Sequence, residues 1–385
     1  KGDMVKKGER IFLYKESTEY VLSPTSGTIT FIAPFTGFFG VLATYLVVET
    51  NTKQEVDNSF SESASIPDIQ TADSYLRGIP GNPPLKLLAE ASGGGKSSGV
   101  AINKIVINGV DDDILCTTRQ YVLTRFRDDL SKAVSLLKQM TGINDISVAI
   151  PEALTKLSAF GGINVIKVSS DYVNSLSPMI MDKSLGVPFV AGKSCEELGV
   201  CFISVEAVLS LFKAYSEKQP VYEKIVTIID KKGKKSRVSA MIGTPIHRIF
   251  TKLGVETAEK DRIIIGGPLR GFAAYTLYHP VTPDMDTLIV QDSSEIPTVS
   301  DYPCINCGKC VRICPSKVPV NLLVRYLEAN LYQDAADSCD LFSCIECGLC
   351  SYVCSAKIPI FQYIRLGKYE LMKMQSEIET EADNG

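Results

Sequence analysis

The spacing of apolar positions changes along this chain, and each change predicts a different kind of element. From residue 1 to about 50, short β-branched runs alternate with turn formers, as in Gly2-Asp3-Met4-Val5-Lys6-Lys7-Gly8-Glu9 and Leu22-Ser23-Pro24-Thr25-Ser26-Gly27-Thr28-Ile29. This pattern predicts strands joined by turns. No charge falls between Gly27 and Val48, a stretch long enough to cross a bilayer. Pro34, Gly37 and Gly40 interrupt it, and Thr, Phe, Val and Tyr dominate, so buried strands are predicted there and no membrane span. Residues 51–85 turn to Ser, Glu, Asp and Asn and then to Gly78-Ile79-Pro80-Gly81-Asn82-Pro83-Pro84, which predicts a linker or exposed loop.

Over residues 86–215 strand and helix patterns alternate. Ile105-Val106-Ile107-Asn108-Gly109 predicts a strand ending in a turn, Tyr121 to Met140 has apolar residues at helical spacing, and Ile146-Ser147-Val148-Ala149-Ile150-Pro151 predicts the next strand. Such alternation is what an open parallel sheet with flanking helices requires. Residues 216–292 read as α+β, with strands at Ile225–Ile229 and Arg262–Gly267 and a short helix from Pro245 to Leu253. Residues 293–372 predict short helices around cysteines, and residues 373–385 an acidic tail that frays. The opening Lys1-Gly2-Asp3 reads as the interior of a domain whose start lies upstream.

A chain of 385 residues exceeds one ordinary core, and 45% hydrophobic with 22% charged residues is a folded, multidomain composition. The net charge of −4 offers no broad basic field, which argues against nucleic acid as a partner. The two histidines, His247 and His279, have no second catalytic group in their flanks, so histidine acid–base chemistry is not expected.

Of the 12 cysteines, eight form two runs, Cys304-x2-Cys307-x2-Cys310-x3-Cys314-Pro315 and Cys344-x2-Cys347-x2-Cys350-x3-Cys354. Tight C-x-x-C runs in a large chain read as metal sites in a reducing compartment, the cytoplasm, rather than as a disulfide scaffold. Three thiolates at this spacing wrap three corners of a cubane, and in two-cluster ferredoxins the fourth Cys of each run ligates the other cluster. Two [4Fe–4S] clusters are therefore predicted, one held by Cys304, Cys307, Cys310 and Cys354, the other by Cys344, Cys347, Cys350 and Cys314. Zinc would call for two C-x-x-C pairs, not two matching four-cysteine runs. Cys354 is followed by Ser355 where the first run has Pro315, a departure that changes no ligand. Cys339 is read as a spare buried thiol, and Cys116, Cys195 and Cys201 as core residues.

With these runs in place, the chain resembles the C subunit of the Rnf complexes, membrane-bound ion-translocating oxidoreductases that couple ferredoxin to NAD⁺ or another carrier. The resemblance rests on Ile107-Asn108-Gly109-Val110, Leu198-Gly199-Val200, Ile242-Gly243-Thr244-Pro245, Gly266-Gly267-Pro268-Leu269-Arg270-Gly271, and most of all Pro303-Cys304-Ile305 and Ile345-Glu346-Cys347-Gly348. It implies a lipoyl-like β barrel part over residues 1–50 and a Rossmann-like domain, related to the flavin subunit of respiratory complex I, over 86–215. It further implies a β-grasp domain over 216–292 and an α-helical ferredoxin-like module over 293–372. The implied function is electron relay through two [4Fe–4S] clusters in a translocase. Integral-membrane and ferredoxin-like subunits are the implied partners, a cytochrome or other redox protein is a further acceptor, and the chain would sit peripherally on the cytoplasmic face of the membrane.

The family also holds flavin mononucleotide (FMN) and NADH on its α/β domain, marked here by Asn108 and Asp113. Its Gly-Gly-Ala-Gly-Phe-Pro-Thr loop is replaced near Gly78–Lys86, where only Gly81, Pro83 and Lys86 stand as remnants. Pro80, Pro83 and Pro84 remove amides and stiffen a loop that should cradle phosphate. Asp111 and Asp113 are shorter than the family's glutamates, and Ser204 stands for an expected Asn. The site is read as eroded, and FMN and NADH are not expected to bind usefully. An NADH-reactive flavoprotein subunit and a structural adaptor with non-redox clusters are the alternatives. Gly93-Gly94-Gly95-Lys96-Ser97 lacks the Gly that a phosphate loop needs at Glu90 and reads as a surface loop. After Pro359, the residues Ile360, Ile364, Leu371 and Met374 share one helical face that could dock on an integral partner or on the chain's own cysteine module.

Overall fold

The described residues of the uncharged stretch after Gly27 form two long antiparallel strands. In the computed structural model, which describes residues 1–12, 14–36, 42–92, 101–157, 162–300 and 302–383, β1 (Met4–Val5) pairs with β4 (Gly27–Thr36), which pairs with β5 (Leu42–Thr50). A separate hairpin of β2 (Arg10–Phe12) and β3 (Tyr20–Leu22) completes this all-β segment. No helix among the described residues is long and apolar enough to cross a membrane. Gly37, Gly40 and Gly93-Gly94-Gly95-Lys96-Ser97 lie outside the described residues.

Residues 51–85 are not a linker. They carry α1 (Ser59–Ser63) and α2 (Ile69–Tyr75), and α3 (Leu85–Ser92) follows at once. Phe60, Ile69, Ala72, Leu76 and Ile79 are buried in the largest hydrophobic core, together with Leu85 and Leu88 of α3. The polar residues that suggested a loop lie between these few apolar positions. Asp68 caps α2 by accepting from the Thr71 amide at 2.8 Å, and Tyr215 donates to the Asp68 carbonyl. These helices therefore belong to the α/β unit.

That unit is built on β6 (Lys104–Asn108), α4 (Thr118–Arg125), α5 (Arg127–Thr141), β7 (Ile146–Pro151), β8 (Asn164–Val168), α6 (Ser177–Leu185), β9 (Val200–Ser204) and α7 (Val205–Glu217). The strands are parallel in the order β8-β7-β6-β9, and the predicted alternation holds. The single helix expected from Tyr121 to Met140 is two helices, broken at Phe126. No Gly or Pro marks the break; Asp128 and Asp129, favourable in a first turn, mark the restart.

Residues 216–292 form a mixed sheet of β10 (Glu223–Ile229), β11 (Lys235–Met241), β12 (Arg262–Ile265), β13 (Phe272–Ala273) and β14 (Thr287–Gln291), in the order β11-β10-β14-β12-β13. Only β10 and β14 run parallel; α8 (Ile246–Leu253) covers the sheet with Ile246, Ile249 and Phe250. His279 is buried here, edge-on to Phe35 at 5.6 Å, with Nδ1 2.8 Å from the Pro280 carbonyl.

A buried polar network joins this sheet to the α/β unit. Lys224, fully buried, donates to Glu206 of α7 and, at 2.6 Å, to Asp286; Arg119 of α4 bridges Asp286 at 3.1 Å and Asp112 at 2.6 Å. Burial works against the Asp286 charge, but Lys224 and Arg119 overcome it and hold its carboxyl below the usual carboxylate range. Removing one partner of such a buried cluster costs about 3–5 kcal/mol, so the two units are held as one body.

The C-terminal module comprises α9 (Lys309–Ile313), α10 (Val320–Glu328), α11 (Tyr332–Cys339), α12 (Leu349–Val353) and α13 (Ile360–Asp383). The expected frayed tail is the continuation of α13, which runs helically to Asp383. The face after Pro359 is already covered. Ile360, Ile364 and Leu371 pack into the module's own core with Leu323, Leu327 and Leu341. Met374 alone of the four is exposed. A Cβ on Gly367 would press on the end of the Leu327 side chain, which would have to shift, so α10 and α13 approach closely at this glycine.

Candidate metal centre

The two cysteine loops repeat the same backbone, residue for residue. Asn306 and Glu346 take left-handed φ values of 55° and 54°, and Gly308 and Gly348 follow at 69° and 75° as N-caps of α9 and α12. Cys314 and Cys354 end those helices in extended conformation, and Lys317 and Lys357 both have φ 58°. A left-handed residue between the cysteines bends the chain back on itself, so that successive thiols face a common interior. The fourth cysteine, one helical turn on, leaves its own loop.

Cys304, Cys307, Cys310 and Cys354 line one small cavity, with Ile305, Val324 and Ile358 around them. This is the set predicted to hold the first cluster. Cys310, Cys314 and Cys350 are buried between the two loops. No group of three His, Cys, Asp or Glu side chains among the described residues converges as a single metal ion requires. The donor set suits a cluster: thiolates only, on two equivalent loops, with apolar side chains between them.

The surroundings of the two loops differ. Cys307 is exposed, and Ile305 and Tyr302 are 65% and 74% exposed. The Lys309 amide holds the Cys307 thiol below its ordinary range. The second loop is enclosed, and burial pushes the Cys344 thiol up to about 11 and raises Cys347 and Cys350. Tyr172 Oη donates to the Cys347 carbonyl at 2.7 Å, Arg270 Nε to the Glu346 carbonyl at 3.1 Å, and Lys368 Nζ to the Cys344 carbonyl at 2.7 Å. The Glu346 carboxylate accepts from Lys368 at 3.0 Å and Arg365 at 3.2 Å. Burial works against its charge, but Lys368 and Arg365 hold the carboxyl below the usual range.

Asp113, expected at a nucleotide site, belongs to this enclosure. Its carboxylate accepts from the amides of Leu269 at 3.0 Å, Arg270 at 2.6 Å and Ile114 at 2.7 Å. Gly267 lies so close that a Cβ would overlap the Asp113 side chain, and a Cβ on Gly348 would overlap the Leu269 carbonyl. The α/β unit thus grips the 266–271 loop, which grips the second cysteine loop. Tyr172, Arg270 and Lys368 carry no local signal of this role, although the 266–271 glycines stood out in the sequence.

The other expected nucleotide-site residues converge at the C-terminal edge of the parallel sheet. Asn108 and Ser204 are in register across β6 and β9, where the strand order reverses, the usual ligand crevice of such sheets. Here the loop around Gly81 packs closely against the start of α7. Ser204 Oγ donates to the Gly81 carbonyl at 3.2 Å and caps α7 through the Ala207 amide at 3.1 Å; the Gly81 amide donates to Pro283. Pro80 and Pro83 are buried. Asn108 accepts from the Val110 amide at 2.9 Å, and Asp111 from the amides of Arg119 and Gln120. Cys116, Cys195, Cys201 and Cys339 are buried, as their isolated positions predict.

The 4Fe-4S dicluster domain family matches residues 303–358. Proteins named as the C subunit of the ion-translocating oxidoreductase complex align with nearly the whole chain. The one from Pseudomonas aeruginosa is 27% identical, covering 98% of this chain and 50% of its own length. The one from Serratia proteamaculans is 27% identical over 98% of this chain and 55% of its own. The chain thus spans about half the length of the curated relatives it matches. Among solved structures, a chain of the NAD+-reducing [NiFe]-hydrogenase in the H2-reduced state superposes with a TM-score of 0.51 at 14% identity, covering 82% of this chain and 63% of that one. That likeness is one of fold.

Proposed function

We propose that this chain is an electron-transfer subunit of an Rnf-type ion-translocating oxidoreductase. The observation that carries the reading is the repeated backbone of two four-cysteine loops, in a chain whose relatives are named as the C subunit of such complexes. Cys304, Cys307, Cys310 and Cys354 would hold one [4Fe–4S] cluster, and Cys344, Cys347, Cys350 and Cys314 the other. A bound cluster supplies one-electron exchange at a potential tuned by hydrogen bonds and solvent access. The protein's part is to fix the thiolates, enclose the second site and leave the first near solvent.

The strand order β11-β10-β14-β12-β13 with its single helix supports the β-grasp reading of residues 216–292, and the parallel sheet the Rossmann-like reading, with residues 59–92 added to that unit. The antiparallel strands of residues 1–50 suit the lipoyl-like reading. Attachment to the cytoplasmic face would run through integral partners. In this reading the sheet-edge crevice is closed to FMN and NADH by the loop around Gly81, so electrons pass between protein partners.

Anaerobic redox titration of the full chain, followed by electron paramagnetic resonance, tests the proposal. Two one-electron centres are expected. One centre, or clusters that take up no electrons over the ferredoxin range, would favour the structural adaptor. Titrating the same protein with NADH and FMN tests the closed crevice; micromolar binding of either restores the flavoprotein alternative.

A further inference from the structure

A second concave site lies away from the cysteines, where the N-terminal β segment, helices α4 and α7, and strands β10 and β11 meet. Its volume is about 610 Å³, within the ordinary range of small-ligand pockets. Four cations line it, from four separate stretches of chain: Lys7, Arg125, Lys213 and Arg237. Each leans on an aromatic ring of the same cleft. Lys213 Nζ lies 4.5 Å and Arg125 Cζ 5.7 Å from the centre of the Phe126 ring, Arg237 Cζ 4.8 Å from Tyr121, and Lys7 Nζ 5.3 Å from Tyr222. Among the described residues none of the four makes an ion pair with a carboxylate.

The lining does contain carboxylates, but they are engaged or peripheral. Glu206 is committed to Lys224 and to the Ile225 amide, Glu223 accepts from Ser239 at 2.8 Å, and Glu217 is exposed in the last turn of α7. The cleft therefore keeps an excess of positive charge. Aromatic faces position the cations without neutralising them, leaving N–H groups for a ligand. Arg237 spends one such bond on Thr117 Oγ1, at 3.0 Å. Leu209, Val221 and Met241 add apolar lining.

We propose that this cleft binds a small organic phosphate carrying at least two negative charges, with Arg237 and Lys213 as its principal contacts. Such a ligand would tie the N-terminal segment, the α/β unit and the five-stranded sheet together, so its binding would also raise thermal stability. The compact volume of this half-open cleft favours a small molecule over an acidic polypeptide, which would need a longer groove.

The test is calorimetric titration of the full, cluster-loaded chain with inorganic pyrophosphate under argon, with cluster absorbance followed as a control. Saturable binding is expected, weakened about tenfold or more by R237Q and by K213Q, since each removes a charge-assisted hydrogen bond. K260Q, which removes an exposed cation outside both the cleft lining and the cysteine loops, should leave the affinity unchanged. Arg237 is exposed on β11, so R237Q is a substitution the fold should tolerate, and its unfolding midpoint without ligand checks this. Absence of saturable binding, equal affinity in all three variants, or binding of polyglutamate that pyrophosphate does not displace would each overturn the proposal.

Discussion

Asn306 and Glu346 occupy equivalent places in the two cysteine loops, at almost identical left-handed φ, yet they meet different worlds. Asn306 is exposed and accepts from the Asn321 amide at 2.7 Å. Glu346 is gripped by Lys368, Arg365 and, through its carbonyl, Arg270. The same contrast runs through Gly308 beside Arg312 and Gly348 beside the Leu269 carbonyl. The backbone of the cysteine loop is repeated, and its surroundings differ. The first loop is left accessible to another protein, while the second is built into the 266–271 loop and the α/β unit.

The largest expected effect tests whether the two sites share ligands. C314S, which changes the first run, should abolish the cluster of the second run, removing roughly half the iron and leaving the centre of Cys304, Cys307 and Cys310. Iron analysis with electron paramagnetic resonance distinguishes the outcomes. If the first-run centre disappears instead, each run holds its own cluster and the exchange of fourth ligands is wrong.

Paired glycine substitutions come next. G308A should cost about 1 kcal/mol, the penalty for a left-handed residue with a Cβ, because only the flexible end of Arg312 lies near. G348A meets the same penalty and also drives a methyl into the Leu269 backbone, for a total of about 3 kcal/mol or more. Denaturant midpoints of the cluster-loaded variants measure the difference. Equal losses would mean that the second loop is not clamped to residues 266–271.

How far the contrast could be read beforehand follows from the range of the contacts. The cysteine spacing is local chemistry, and it named the eight thiols in both runs. The strands after Gly27 and at Ile105, Ile146 and Ile225 were legible because β-branched runs bounded by turns suit a pleated, buried surface. The helices within residues 59–75 were missed because only Phe60, Ile69 and Ala72 are buried in them, too few to show a period. Asp113 was assigned to a nucleotide site through its neighbours in the chain. Its partners, Leu269 and Arg270, are more than 150 residues away, and nothing in a single sequence announces such a pairing.

The smallest effect expected concerns the side chains at the equivalent positions. E346Q removes the carboxylate that Lys368 and Arg365 both bind while keeping the size and the left-handed backbone. Glu346 is less than a third exposed, so this loss should cost about 1–2 kcal/mol, reduced from the full charge-assisted value by solvent screening. The counterpart N306A removes one exposed hydrogen bond and should stay within about 0.5 kcal/mol, apart from the preference of Asn over Ala for left-handed backbone. Salt separates the two further, because an ion-pair contribution shrinks at high ionic strength and a neutral hydrogen bond does not. Unfolding measured at low and at high salt should therefore bring E346Q closer to the parent protein and leave N306A where it was. If E346Q were as mild and as salt-insensitive as N306A, the cations around Glu346 would contribute nothing to holding the second loop. Its enclosure would then rest on the backbone contacts of Tyr172, Arg270 and Lys368 alone.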